Sequence, residues 1–196
     1  VAHSWQGFFV ESFADELAVA AGRDPLEFRL ALLAAQPRHR AVLERVARMS
    51  DWTPDKRRGV DAVSGLRRGR GVALVASFGS IVAEVCEVAV DAAGALRVER
   101  IWAAVDCGIV VNPDTAQAQV EGGILMGLSA ALGERISFAA GAVEQGNFHD
   151  YPLLRISEAP RVEVQFIASR EPPGGLGEPG TPPVAAALAN AVFAAT

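Results

Sequence analysis

From Val72 to Val105 the chain runs through three stretches dominated by valine, isoleucine and other strand formers, with little between them but turn residues. Val72 to Phe78, Ile81 to Val90 and Leu96 to Val105 are each of strand length, and β-branched side chains pack well on a pleated surface. Asp91-Ala92-Ala93-Gly94 has the composition of a turn, which folds the second stretch back on the third as a hairpin. A sheet is therefore predicted in the middle of the chain, and whatever lies before and after must pack on it.

The N-terminal part reads as helix. Phe9, Phe13, Leu17 and Ala20 recur at near-helical spacing, with Gly22 as a stop. Asp24-Pro25-Leu26-Glu27 then offers an N-cap acid, proline at the first helical position and glutamate at the third, opening a helix to about Gln36. A third runs from Arg38 to Met49, where Val42, Val46 and Met49 share a face with Leu43 beside them. Thr53 to Arg70 has no apolar period and reads as a connector.

Beyond the sheet, Asn112-Pro113-Asp114 is an N-cap with proline at N1, opening a helix through Gln119, Val120, Ile124 and Leu128. Gly122, Gly123 and Gly127 each weaken that helix by roughly 1 kcal/mol against alanine, which points to another backbone or a ligand close by. Ile136 to Ala140, Ala142 to Gln145 and Val162 to Ala168 read as further strands, and Thr181-Pro182-Pro183 as a capped start for a last helix through Leu188 and Val192. Helices and strands come in separate runs, so the fold class is α+β, with a helical N-terminal segment and an antiparallel or mixed sheet with packed helices. The division expected is a helical segment 1–52, a connector 53–70 and an α+β domain 71–196.

At 196 residues, with 51% hydrophobic and 21% charged, the chain is globular in composition and long enough to bury roughly 70% of its unfolded surface. A net charge of -5 leaves no electrostatic footprint for nucleic acid. The basic cluster Lys56-Arg57-Arg58 with Arg67-Arg68 and Arg70 reads as a solvated loop. Cys86 and Cys107 lack Cys-x-x-Cys spacing and read as buried small apolar residues, so no zinc knuckle or iron–sulfur cluster is expected from this chain. No stretch has the length and apolarity of a membrane span. The chain starts at Val1 and stops inside an apolar helical pattern, so a piece of something longer is expected, with its compartment open between periplasm and cytoplasm.

Three separated motifs carry a resemblance. Val105-Asp106-Cys107-Gly108, Val111-Asn112-Pro113-Asp114 and Gln119-Val120-Glu121-Gly122-Gly123 form the first, and Gln145-Gly146-Asn147-Phe148-His149-Asp150-Tyr151-Pro152 the second. The third is Pro173-Gly174-Gly175-Leu176-Gly177-Glu178-Pro179-Gly180 with Pro182-Pro183 and Ala189-Asn190-Ala191. In this order they resemble the C-terminal part of molybdopterin-binding subunits of the xanthine oxidase and aldehyde oxidase family, on the branch of isoquinoline 1-oxidoreductase beta subunits. The opening helix Glu11-Ser12-Phe13-Ala14-Asp15-Glu16-Leu17-Ala18 fits the same branch.

The resemblance implies molybdopterin with molybdenum, in the cytosine dinucleotide form of bacterial relatives. It also implies a partner subunit carrying 2Fe-2S clusters, coupling to a cytochrome c subunit, and oxidative hydroxylation of an N-heterocycle or oxidation of an aldehyde. The family's Met-Gly-Gln-Gly-type cofactor loop is not in this sequence, so the chain is expected to be inactive alone. The alternative is a non-catalytic truncated remnant or a protein-interaction domain.

The resemblance makes Glu178 the general base toward the metal-bound hydroxide, a role worth about 10²–10⁴ in rate. The residues agree, since glycines such as Gly175 and Gly177 leave no Cβ in the way of a close approach. Gln119 offers a donor and an acceptor suited to a pterin edge, and with Gly122 and Gly177 it makes up the expected cofactor contacts. Asn112 is explained by capping, and Asp106 beside it is given no chemical role. His3, His39 and His149 have no evident partner and read as structural. No residues have metal-ligand spacing.

Overall fold

A computed structural model describes residues 2–196. Three helices come first: α1 (Ala2–Ala20), α2 (Pro25–Leu32) and α3 (Pro37–Met49). The sheet strands are β1 (Arg58–Val60), β2 (Arg67–Ser77), β3 (Ser80–Val90) and β4 (Leu96–Asp106). Then follow α4 (Pro113–Leu132), the short strands β5 (Phe138–Ala139) and β6 (Ala142–Val143), β7 (Arg161–Phe166) and α5 (Val184–Ala195). The main sheet has five strands in the order β1-β2-β3-β4-β7, antiparallel except for β4 with β7. Helices cover both faces, which is the α+β architecture expected.

β3 is central and buried along almost its whole length, so its two faces feed two cores. Val82, Cys86 and Val88 pack with Val120, Ile124 and Leu128 of α4 and Val184, Leu188 and Ala191 of α5. Ile81, Ala83 and Val85 pack with Leu26 of α2 and with Val42, Leu43 and Val46 of α3 on the other side. Cys86 and Cys107 are free and buried, as expected.

The connector is more structured than its composition suggests. β2 begins at Arg67, five residues before the expected Val72, and β1 lies within the stretch read as a connector. The reason is packing: a Cβ on Gly69 would stand 2.0 Å from the Ala191 carbonyl oxygen, and on Gly71 2.2 Å from the Ala191 nitrogen. These glycines let the alanine-rich α5 lie directly on β2. The basic cluster is likewise not a simple solvated loop. Arg57 donates to Asp15 at 2.8 Å, Arg68 pairs with Glu99, and Arg70 pairs with Glu87 and lies 5.2 Å from the Trp102 ring centroid.

The apolar repeat of α1 also plays a different part. Phe9, Phe13 and Leu17 are 68%, 59% and 43% exposed, while Gly7, Glu11, Asp15 and Ala18 face inward. The inward acids are held by charge. Glu11 accepts from Arg29 at 2.7 Å and from the Leu74 amide at 3.0 Å, and Asp15 accepts from Arg57 and, at 3.4 Å, from Arg29. Asn190 of α5 donates to the Glu11 and Val72 carbonyls, closing the network. Buried charges persist when they are paired and hydrogen-bonded, and here that requirement sets which face of α1 turns inward.

Two caps match the sequence. Asp24 accepts from the Leu26 and Glu27 amides at 2.9 and 3.1 Å, and Asn112 accepts from the Thr115 amide at 3.1 Å. The expected cap on the last helix is absent: Pro183 occupies that position, and the Thr181 hydroxyl donates instead to the Gly123 carbonyl at 2.9 Å.

Candidate functional site

The segment from Glu171 to Thr181 is laid across three elements. Its start is tied to the end of β4, because the Ile109 amide donates to the Glu171 carbonyl at 3.0 Å and the Gly174 amide to the Cys107 carbonyl at 2.8 Å. Its glycines then rest on the tip of the β2–β3 hairpin. The Gly175 amide donates to the Phe78 carbonyl at 2.8 Å, and the Ser80 hydroxyl donates to the Gly175 carbonyl at 2.6 Å. A Cβ on Gly174 would sit 2.6 Å from Ser80 Oγ and 2.7 Å from the Gly79 oxygen. Farther on, Gln119 of α4 donates to the Gly177 carbonyl at 2.8 Å, and the Thr181 amide closes a turn on the Glu178 carbonyl at 2.9 Å.

This geometry changes the reason for the glycines. Gly174 and Gly175 are small because the hairpin tip lies against them, whereas a Cβ on Gly177 would meet nothing within 4 Å. The carboxylate of Glu178 is exposed through the course of the loop, not through the smallness of its neighbour. On α4, Gly123 and Gly127 face Gly180 and Thr181, so a neighbouring backbone accounts for both. Gly122 is exposed, with open space where a side chain would be.

Gln119, Gly177 and Glu178 thus come together, although they are contributed by a helix and a distant loop. Glu178 lines a cavity of about 180 Å³ with His3, Ser4, Phe78, Thr181 and Pro182. Two of these, His3 and Phe78, carried no functional weight in the sequence. Their rings meet edge to face with centroids 4.9 Å apart. Phe78 has a φ of 54° and Gly79 a φ of 80°, forming a two-residue turn between the paired Ser77 and Ser80. Such turns favour Asn-Gly, and a bulky residue in left-handed backbone is a strained choice. A Phe-Gly between two strand patterns was the available signal.

Beneath the loop, Asp106 is buried and accepts from Arg38 at 2.8 Å and from the Gly108 amide at 3.0 Å. The hydrogen bond from Arg38 holds its carboxyl below the usual carboxylate range, so it acts as a fixed brace at the end of β4. His149 is 79% exposed in a loop held by Asp150, which accepts from the Gly146 and Asn147 amides. Among the described residues, no group of three or more His, Cys, Asp or Glu is placed to hold a metal ion. A larger open cleft of about 790 Å³, lined by Arg97, Ser129, Leu132, Leu154 and Arg161 among others, lies at the other end of α4 and contains none of the expected site residues.

Residues 69–160 match the family of molybdopterin cofactor-binding domains. Over 185 residues the chain is 42% identical to the isoquinoline 1-oxidoreductase beta subunit of Brevundimonas diminuta, covering 94% of this chain and 23% of that protein. The chain is thus similar over nearly its whole length to an oxidoreductase subunit, with a molybdopterin cofactor-binding match within it. A nicotinate dehydrogenase subunit from Pseudomonas putida KT2440 is 37% identical over 200 residues, covering 96% of this chain and 17% of that protein. The chain therefore spans less than a quarter of the length of these two relatives. Among solved structures, a Cu,Mo-CO dehydrogenase superposes with a TM-score of 0.55 at 29% identity, over 59% of this chain and 16% of that chain. Quinoline 2-oxidoreductase from Pseudomonas putida 86 shares the fold, with a TM-score of 0.56 over 59% of this chain and 16% of that chain, at 24% identity.

Proposed function

We propose that the chain is part of the large subunit of a molybdenum hydroxylase, with Glu178 as its general base. The observation that carries this reading is the convergence of two elements: Glu178 opens onto a cavity while Gln119, from α4, holds the carbonyl of the preceding residue. Residues 71–196 are read as the cofactor-binding part and the N-terminal helices as its brace, joined through 53–70.

The residues fit a molybdopterin. Gln119 uses one amide hydrogen on Gly177, which leaves its oxygen and second hydrogen for the polar edge of a ring system. The flank at Gly122 is open, so such a ring can approach α4 without displacing a side chain. Gly177 contributes its carbonyl to the same corner. When bound, the cofactor supplies the two-electron redox chemistry. The cytosine dinucleotide form, a 2Fe-2S partner subunit and a cytochrome c subunit complete the reading, as does an N-heterocycle or aldehyde substrate of the kind named for the relatives.

The chain's own contribution is to the proton. The Glu178 carboxylate accepts a proton from the oxygen nucleophile as the new carbon–oxygen bond forms, and the Thr181 amide on the Glu178 carbonyl keeps that residue turned toward the cavity. In the complete enzyme, Glu178→Gln is expected to retain molybdenum and fold while turnover falls by about 10²–10⁴. Undiminished turnover with full metal content would end the assignment.

A second reading, a module that only docks against another protein, is favoured by the outward apolar row of α1. It predicts an assembled complex that contains this chain and lacks molybdenum.

A further inference from the structure

We propose that Arg38 is a positioning residue for the loop that carries Glu178, acting through Asp106 to fix the joint from which that loop and α4 both depart; this rests on the reading of Glu178 as general base.

Both arms of the site are fastened at one place, the end of β4. The chain turns there at Gly108, which has a φ of 72°, before α4 brings in Gln119. The returning loop lies against the same turn, through the Ile109 amide on the Glu171 carbonyl at 3.0 Å and the Gly174 amide on the Cys107 carbonyl at 2.8 Å. A Cβ on Gly108 would stand 2.2 Å from the Pro172 carbonyl oxygen, so turn and loop are in backbone contact. A small change in the turn therefore shifts Glu178 relative to Gln119.

Asp106 sets that turn, and Arg38 sets Asp106. One carboxylate oxygen accepts the Gly108 amide at 3.0 Å and the other accepts Arg38 Nε at 2.8 Å. The Asp106 side chain is 3% exposed and that of Arg38 38%, so a charge buried at the joint is balanced by a cation reaching in from the first turn of α3. The titratable groups around the pair offer no substitute. Glu171 adds negative charge, burial keeps the Cys107 thiol protonated, and burial together with Arg38 holds His39 below its usual pKa, uncharged at neutral pH. Without Arg38 the Asp106 carboxyl takes up a proton more readily, and a protonated carboxyl accepts less well from the Gly108 amide. Asparagine in its place needs no counter-charge and still offers an acceptor oxygen.

The test uses the complete enzyme with two readouts, amide hydrogen exchange without substrate and turnover of isoquinoline. Arg38→Met keeps the stem and removes the charge. Exchange at Gly108, Ile109 and Gly174 is then expected to quicken about tenfold near neutral pH, while molybdenum content and KM hold and kcat falls roughly 10- to 100-fold. The acid limb of kcat moves to higher pH, because Asp106 now protonates closer to its usual range. Arg38→Lys, which keeps the charge, recovers most of both losses. The deciding variant is the double one: with Asp106→Asn in place, adding Arg38→Met changes neither exchange nor kcat. Four results would overturn the proposal: unchanged exchange in Arg38→Met, quickened exchange with unchanged kcat, an undiminished effect of Arg38→Met in the Asp106→Asn background, or exchange quickened equally in every helix and strand, which marks a general loss of stability. The exchange arms decide for an enzyme of any substrate. The general-base assignment fails separately, because it is read in the kcat of Glu178→Gln, a change that leaves exchange at the joint as it was.

Discussion

Glu84 illustrates how far one residue's environment departs from what its type suggests. It stands in the middle of β3, fully buried, with neither carboxyl oxygen hydrogen-bonded. Its lateral neighbours are Ala73 and Ala103, small enough to leave its side chain room. Burial raises its pKa well above the usual carboxylate range, so the folded protein holds it as the neutral acid. The sign follows: a group protonated more tightly in the folded state stabilises fully below its unfolded pKa, and that stability is lost as pH rises through the folded value. Between about pH 5 and about pH 8 the urea midpoint is therefore expected to fall, and Glu84→Gln should flatten that slope relative to the parent. Identical slopes would show that Glu84 does not titrate in the fold. An acid in a run of valines and alanines is visible in the sequence, but its lack of partners is not, because partners come from the elements packed above the strand.

At the scale of elements, α1 is oriented by charge and α5 by absence of bulk. Arg29 binds Glu11 and Asp15 together, and it also donates to the Pro25 and Glu11 carbonyls, so one guanidinium joins α1 to α2. Removing one partner of a buried charge network strands the others, at about 3–5 kcal/mol. Arg29→Met should lower stability by that amount in a denaturant titration; a loss below about 1 kcal/mol, the worth of a surface pair, would mean the network is effectively solvated. The helical period of α1 was legible from Phe9, Phe13 and Leu17, yet period alone names a stripe and not the side that turns inward. The caps at Asp24 and Asn112 were legible because they act within a few residues. Thr181 was misread because its hydroxyl had a choice, and the carbonyl of Gly123 on α4 offered a better acceptor than the first turn of α5.

Over the whole molecule, the sheet carries the site at one end, where the hairpin tip, the end of β4, the first turn of α1 and the Glu178 loop meet. The outer surface of α1 exposes Trp5, Phe9, Phe13 and Leu17 in a row with four-residue spacing, an apolar strip of the kind that marks an interaction surface. Purified alone, the chain should self-associate as concentration rises. Phe9→Ser with Phe13→Ser should suppress that in sedimentation velocity without lowering the unfolding midpoint, since neither ring is in a core cluster. A lowered midpoint would show instead that the row is buried within the fold. The α+β class, the β3–β4 hairpin, the capped α4 and the Gly-rich loop around Glu178 could be read from the chain because each depends on contacts between near neighbours. Tertiary structure alone decided that Gln119 meets Gly177, that Gly69 and Gly71 lie beneath α5, and that His3 and Phe78 stand beside Glu178. Those juxtapositions join residues separated by 58 to 175 positions, and their register is set by which surfaces can be buried together, a quantity that no local pattern in the sequence encodes.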